Sequence, residues 1–366
     1  MSRSNPRQQG GFVLVLVLAL LVVLTLLAGA VAVAGRQAVE EAQQEVDAFE
    51  GELDMASTRE TLLYMMSVQF RTLGGVTVDN SKAEAITRIR NDLDAEGEGV
   101  MPVGNEIRLD STPYAGLGHA RFALQDDRGL LSPNWAGDLL KHRFYARMGV
   151  PSEQWAGLEA KRLDYQDADD LHRLGGAEKD DYAKAGLPPP SNRPLATPLE
   201  LRRVMGWREL LAPLTDEELL GLVTMGRSPD INVNSAPAEV LSLLPMLDEA
   251  DAQRLVDLRR QAPFTSTWQV EQLVPVDPNA SEALLALFPN QSGTLTLWDA
   301  RLGTRRLVHW TLTPYQEGSP PWRIDYEVTL PRGNQSDQPV AAAPATPLFT
   351  PPDAPGDPGP PGAAGR

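Results

Sequence analysis

The chain has no cysteine, few histidines and a deficit of basic residues. Without cysteine there can be no disulfide scaffold and no thiolate nucleophile or thiolate metal site; the compartment is left open. Four histidines occur in 366 residues (His119, His142, His172 and His309), and none stands at the spacing of a helical zinc hydrolase motif. Lysine and arginine number 33 against 49 acids, a formal charge of −16. Such a chain is repelled by nucleic-acid phosphates and by anionic lipid. There is no glycine-rich phosphate loop, no Gly-x-Ser-x-Gly elbow and no redox motif, and no catalytic set replaces them. The sequence therefore points away from an enzyme. A membrane-anchored enzyme is the weakest of the alternatives kept.

What is present begins with an uncharged run from Phe12 to Ala34, in which Thr25 is the only clearly polar side chain. As a helix it reaches about 34 Å, enough to cross a bilayer core. A short head with Arg3 and Arg7 and no acid precedes it; Arg36 and an acid-rich helical stretch follow. This asymmetry predicts a single-pass span with its N-terminus in the cytoplasm and the bulk outside. A plain signal anchor fits the same facts. A cleaved secretory signal fits less well, because the apolar run is long and amphipathic helix follows without a break.

From Gly35 to about Leu73 the pattern stays helical, with Val39, Val46, Phe49, Leu53, Leu62, Leu63 and Met66 at roughly helical intervals; Gly74-Gly75 ends it. One long helix, apolar then amphipathic, is expected, with a break near Gly35 as the alternative. A further helix is expected within 76–99. Two alternating stretches between Gly104 and Asn134 predict strands, with a turn at Asp126-Asp127-Arg128-Gly129.

From about Trp135 to Phe288 helices and loops alternate. Ser152 and Thr197 are predicted N-caps, Pro198 a first helical residue, and Thr215 with Glu218 a capping box. Residues 236–244 and 248–260 predict two helices around a turn at Pro245-Met246, resembling a helix-hairpin-helix unit. The phosphate-binding glycines of DNA-binding versions are missing there, and Asp248, Glu249 and Asp251 stand in their place. Packing is therefore the preferred role, with Val240, Leu241, Leu244, Leu247, Leu255 and Leu258 as its core. SEALLALF is expected to continue the helices to Phe288. Three strands are expected over 292–331, and the Pro-, Gly- and Ala-rich tail after Arg332 reads as disordered or as a flexible surface linker.

The one stretch with ligand chemistry is acidic. Asp164, Asp167, Asp169, Asp170, Glu178, Asp180 and Asp181 lie close together around Gly175-Gly176. Hard divalent cations take several oxygens from a bent loop, so calcium is the ion such a set suits; the offsets are not those of an EF-hand. A solvated acidic loop is the competing reading. The predicted ligands are Asp164, Asp167, Asp169, Asp170, Glu178 and Asp181.

Gly10-Gly11 followed by Phe12 and an apolar helix resembles the processing site of type IV prepilins and pseudopilins. The resemblance implies that a prepilin peptidase cuts after Gly11 and methylates Phe12. Cutting there removes two arginines and no acid, leaving −18. Pilins generally carry Glu at the fifth mature position; here it is Leu16, the habit of protein K of the type II secretion system. LDYQDADD, GGAEKDDY, PLATPLELRRVMGW, INVNSAPAEVLSLLP and FTSTWQVEQL follow in the order of that family, with Tyr165 where the family has Trp.

The resemblance implies an α+β fold: a pilin-like long N-terminal helix packed on a small antiparallel sheet, with a large inserted α-helical domain. On that reading 1–11 is a prepilin leader, 12–34 the transmembrane part of the helix and 35–134 pilin-like helix and first strands. Residues 135–288 are then the insertion, 289–331 the C-terminal strands and 332–366 a disordered tail. It implies a minor pseudopilin in the inner membrane with its bulk in the periplasm. Its partners would be the I and J minor pseudopilins in a tip complex, the prepilin peptidase and other secretion components, without nucleic acid. A minor pilin of a type IV pilus or competence-type system is the alternative.

Overall fold

The computed structural model describes residues 10–81, 84, 101–245, 247–274, 284–299, 301, 305–316, 318–331 and 348–349. The helix expected within 76–99 and most of the tail fall outside these residues. The chain forms two units, Met1–Leu53 and Asp54–Arg366.

Helix α1 (Gly10–Val68) contributes to both. In the first unit its side chains from Val13 to Val33 are exposed, and the helix is long and apolar enough to cross a membrane. The hydroxyl of Thr25 donates to the carbonyl of Val22 at 2.9 Å, so the one polar side chain of the run is satisfied within the helix.

In the second unit the last turns of α1 bury Met55, Leu62, Leu63, Met65 and Met66, spaced to keep one face inward. After the helix come β1 (Arg71–Thr72) and, across the turn at Leu73-Gly74, β2 (Gly75–Thr77), which pairs with both β1 and β3 (Glu106–Ile107). Strands β4 (Asp110–Ala115) and β5 (Ala120–Asp126) form a hairpin. Two contacts fasten it to α1. Thr58 Oγ1 accepts from the Leu117 amide at 3.0 Å, and Asp54 Oδ2 from the His119 amide at 2.9 Å. Gly118 has φ +53°, and a Cβ there would lie 2.1 Å from Asp54 Oδ2, so this contact requires glycine.

The helical region follows: α2 (Asp138–Arg147), α3 (Trp155–Gln166), α4 (Lys179–Lys184), α5 (Trp207–Leu210) and α6 (Asp216–Leu222). After β6 (Ile231–Asn232) come α7 (Ala238–Leu241), α8 (Glu249–Gln261) and α9 (Thr267–Glu271). Its core gathers Phe144, Tyr145, Tyr182, Leu201, Trp207, Val240, Leu241, Leu244, Leu247 and Leu255. Leu258 packs against it half-buried.

Thr215 and Glu218 form the expected capping box, with amide-to-side-chain bonds of 3.2 and 2.7 Å. Three local expectations change. Ser152 caps nothing: a 3-10 turn, Ser152–Gln154, precedes α3 and Gln154 holds the cap position. Thr197 holds a cap position without a side-chain bond, and Pro198–Arg203 is a 3-10 rather than an α-helix. Leu285–Ala286, expected as helix, is strand β7, paired in parallel with Ile231–Asn232. The hairpin turn itself includes Met246, outside the described residues, and α7 is a single turn.

The chain returns as β8 (Ser292–Asp299), β9 (Arg305–Leu312) and β10 (Trp322–Leu330). The five-stranded sheet runs β10-β9-β8-β5-β4, antiparallel throughout. Phe122 faces Leu297, and Leu124 faces Leu295; with Trp310 and Leu312 they complete the core under α1. Leu348 and Phe349 also pack there, Phe349 edge-on to Phe122 with ring centroids 5.7 Å apart.

Candidate functional site

The acidic stretch folds around the end of α3. Asp164 lies on the last turn, fully buried; Asp167 caps the helix, its amide donating to Leu163 O at 3.1 Å. The chain turns at Gly175-Gly176, and Glu178 starts α4, only 2 % exposed. Asp164, Asp167 and Glu178 each bring an oxygen to within 4.8 Å of the others. Glycine is required at 176, where a Cβ would lie 1.8 Å from Asp164 Oδ2.

Arg173 supplies the cluster's nearest positive charge. Its Nη1 donates to Asp164 Oδ1 at 2.7 Å and also to Asp167 Oδ2, and its amide donates to Asp164 Oδ2 at 3.2 Å. Both carboxylate oxygens of Glu178, and Asp167 Oδ1, are buried without a hydrogen-bond partner. Burial, and then the charges of Asp164, Asp167 and Asp170, push the Glu178 carboxyl up to about 7.

The other predicted ligands have different work. Asp169 accepts from the Leu171 amide at 2.9 Å, and Asp170 from Asn192 Nδ2 at 3.2 Å. Asp181 meets His172 Nε2 and accepts the Glu178 amide at 3.2 Å; His172, then that amide, hold it down at about 2. Of the six residues, the fold gathers three. Gly11 and Phe12 lie in the first turns of α1, and Leu16 is exposed on that helix.

A second polar centre escaped the sequence reading. Asp126, read as a turn residue, is buried at the end of β5. Its Oδ1 accepts from the amides of Asn290 (2.8 Å) and Arg128 (3.1 Å), and its Oδ2 from Asn232 Nδ2 (2.9 Å) and Ser235 Oγ (2.8 Å). Burial still pushes its carboxyl up to about 6. Arg128 forks onto both oxygens of Asp230, at 2.7 and 3.1 Å. This turn thus fastens the five-stranded sheet to the Ile231–Ser235 segment. The concentration of Asn and Ser in DINVNS was the available signal.

Two family models match the chain, both for protein K of the type II secretion system, over residues 133–214 and 231–287. The first span contains the acidic cluster, the second β6 to β7. No curated protein matches. One similar solved chain comes from the crystal structure of the GspK-GspI-GspJ complex of the enterotoxigenic Escherichia coli type 2 secretion system. It is 16% identical, with a TM-score of 0.43 over 68% of this chain and 94% of that one. Residues 133–214 and 231–287 are thus similar to the protein K family of the type II secretion system.

Proposed function

We propose that this type II secretion minor pseudopilin starts and caps a periplasmic pseudopilus, standing at its tip with the I and J minor pseudopilins. The observation that carries the reading is the pair of protein K matches across the bulky helical region. The apolar helix then anchors the chain in the inner membrane before assembly, after a prepilin peptidase has cut between Gly11 and Phe12.

Leu16 supports the tip position. In a growing pilus an incoming subunit's fifth-position Glu lies in lipid until a neighbour's N-terminal amine neutralises it, and an unpaired carboxylate there is expensive. Leu16 leaves nothing to neutralise, so this subunit needs none above it. The helical region adds bulk that a regular pilus surface would not accommodate.

The acidic cluster fits calcium. Glu178 has two buried oxygens without a hydrogen-bond partner and brings one of them within 4.8 Å of oxygens of Asp164 and Asp167, and carboxylates so enclosed suit a hard cation. Asp164, Asp167 and Glu178 would hold it. The ion, when bound, supplies the positive charge that keeps these groups ionised and ties the end of α3 to the start of α4.

Co-purification from the native host tests the assembly. A tagged chain is expected to bring down the I and J pseudopilins from solubilised inner membrane. Recovery with components of another pilus system instead would overturn the assignment.

A further inference from the structure

We infer that Arg173 is a tethered counter-ion of the acidic cluster and competes with calcium for Asp164 and Asp167. The inference rests on the calcium reading above and deepens it.

Three carboxylates converge where Asp164 and Glu178 are buried. Carboxylates enclosed this way need a positive partner. Arg173 provides one from nine residues along the chain, and a single nitrogen, Nη1, bridges Asp164 Oδ1 and Asp167 Oδ2. Those belong to the same carboxyl groups that would hold the ion. Calcium takes six to eight oxygens directly, so an oxygen pair committed to a guanidinium is withdrawn from it.

The two carboxylates and the arginine differ in freedom. The Asp164 side chain is fully buried and that of Asp167 is 22 % exposed, whereas the Arg173 side chain is 42 % exposed. Arg173 can therefore turn to solvent while the carboxylates stay. The loop does not depend on the guanidinium for its path. The Arg173 amide holds Asp164 Oδ2, Gly176 packs on the same carboxylate, and Asn192 holds Asp170. Removing the side chain should thus empty the site of its internal cation and leave the loop in place.

The carboxylate left without any partner, Glu178, fits this division of labour. Arg173 satisfies two members of the cluster, and the third stays open for an ion.

Isothermal titration of calcium chloride into the chelator-stripped full chain tests this, with wild type, Arg173→Met and Arg173→Lys compared. Arg173→Met is expected to bind calcium about tenfold tighter, because one positive charge leaves the site. Arg173→Lys should fall between, since an ammonium keeps the charge but is more strongly hydrated and sits on a shorter side chain. Thermal unfolding gives a second readout: Arg173→Met should be less stable than wild type in chelator and equal to it in saturating calcium. Unchanged or weaker calcium binding by a folded Arg173→Met, beside a wild type that binds, would overturn the competition and leave the calcium site standing. Absence of calcium binding in wild type and both variants would overturn the calcium reading and this inference with it.

Discussion

His309 Nε2 lies 3.0 Å from Asp127 Oδ2, inside the fold, while the ring's Nδ1 lies 2.8 Å from Asp325. Both ring nitrogens face carboxylates, and Tyr326 stacks on the ring at 4.9 Å. Burial works against the charge, but Asp127 and then Asp325 outweigh it, and the imidazole is raised to about 9. At neutral pH His309 is therefore a cation that donates both N–H groups, one to the 3-10 turn that follows β5 and one to β10.

The raised value makes a pH prediction with a definite sign. A histidine held at about 9 when folded and about 6.5 when unfolded contributes its full stabilisation below 6.5 and loses it as pH rises through 9. The amount is about 3 kcal/mol. Unfolding followed from pH 6 to 9.5 should show stability falling over that window, and His309→Gln should flatten the fall. An equal slope in the variant would assign the loss to other groups.

Asp126→Ala should destabilise the second unit severely. It strands the Asn290 and Arg128 amides, Asn232 and Ser235 at once. Breaking a buried centre of this kind costs about 3 kcal/mol or more. Denaturant unfolding measures it, and a loss under 1 kcal/mol would mean that water replaces the carboxylate at about no cost.

Calcium should raise the thermal stability of the chelator-stripped chain. At a hundredfold excess over its dissociation constant a ligand bound only by the folded state contributes about 2.7 kcal/mol. Glu178→Gln should remove most of that gain while keeping the side chain's shape. A full response in the variant would exclude Glu178 as a ligand.

Phe349→Ala should cost about 1 kcal/mol, the scale of an edge-on aromatic contact with its burial. Phe122, its partner, is completely buried. An unchanged unfolding midpoint would mean that this contact carries no stability.

Periodicity made much of the fold legible. Alternation marked β8 to β10, and the Thr215–Glu218 box named its own helix start. Ser152 misled because a capping residue looks the same before a 3-10 turn, and that choice is made by packing rather than by the residue. Leu285–Ala286 reads as helix locally; pairing with Ile231–Asn232, fifty-four residues earlier, makes it strand. The acidic stretch was visible as composition, but composition does not say which carboxylates face inward. Asp164 and Glu178 turn in and Asp169 binds its own loop. Asp126 was the deepest omission, because a buried hub and a surface turn use the same residue.

The central claim is that this chain is processed and assembled as a pseudopilin. Its most direct test is the intact mass and N-terminal sequence of the protein made in its own host. The account predicts a mature chain that starts at a methylated Phe12. An intact leader, or a cut beyond residue 30, would contradict it and make the apolar helix an ordinary anchor or signal.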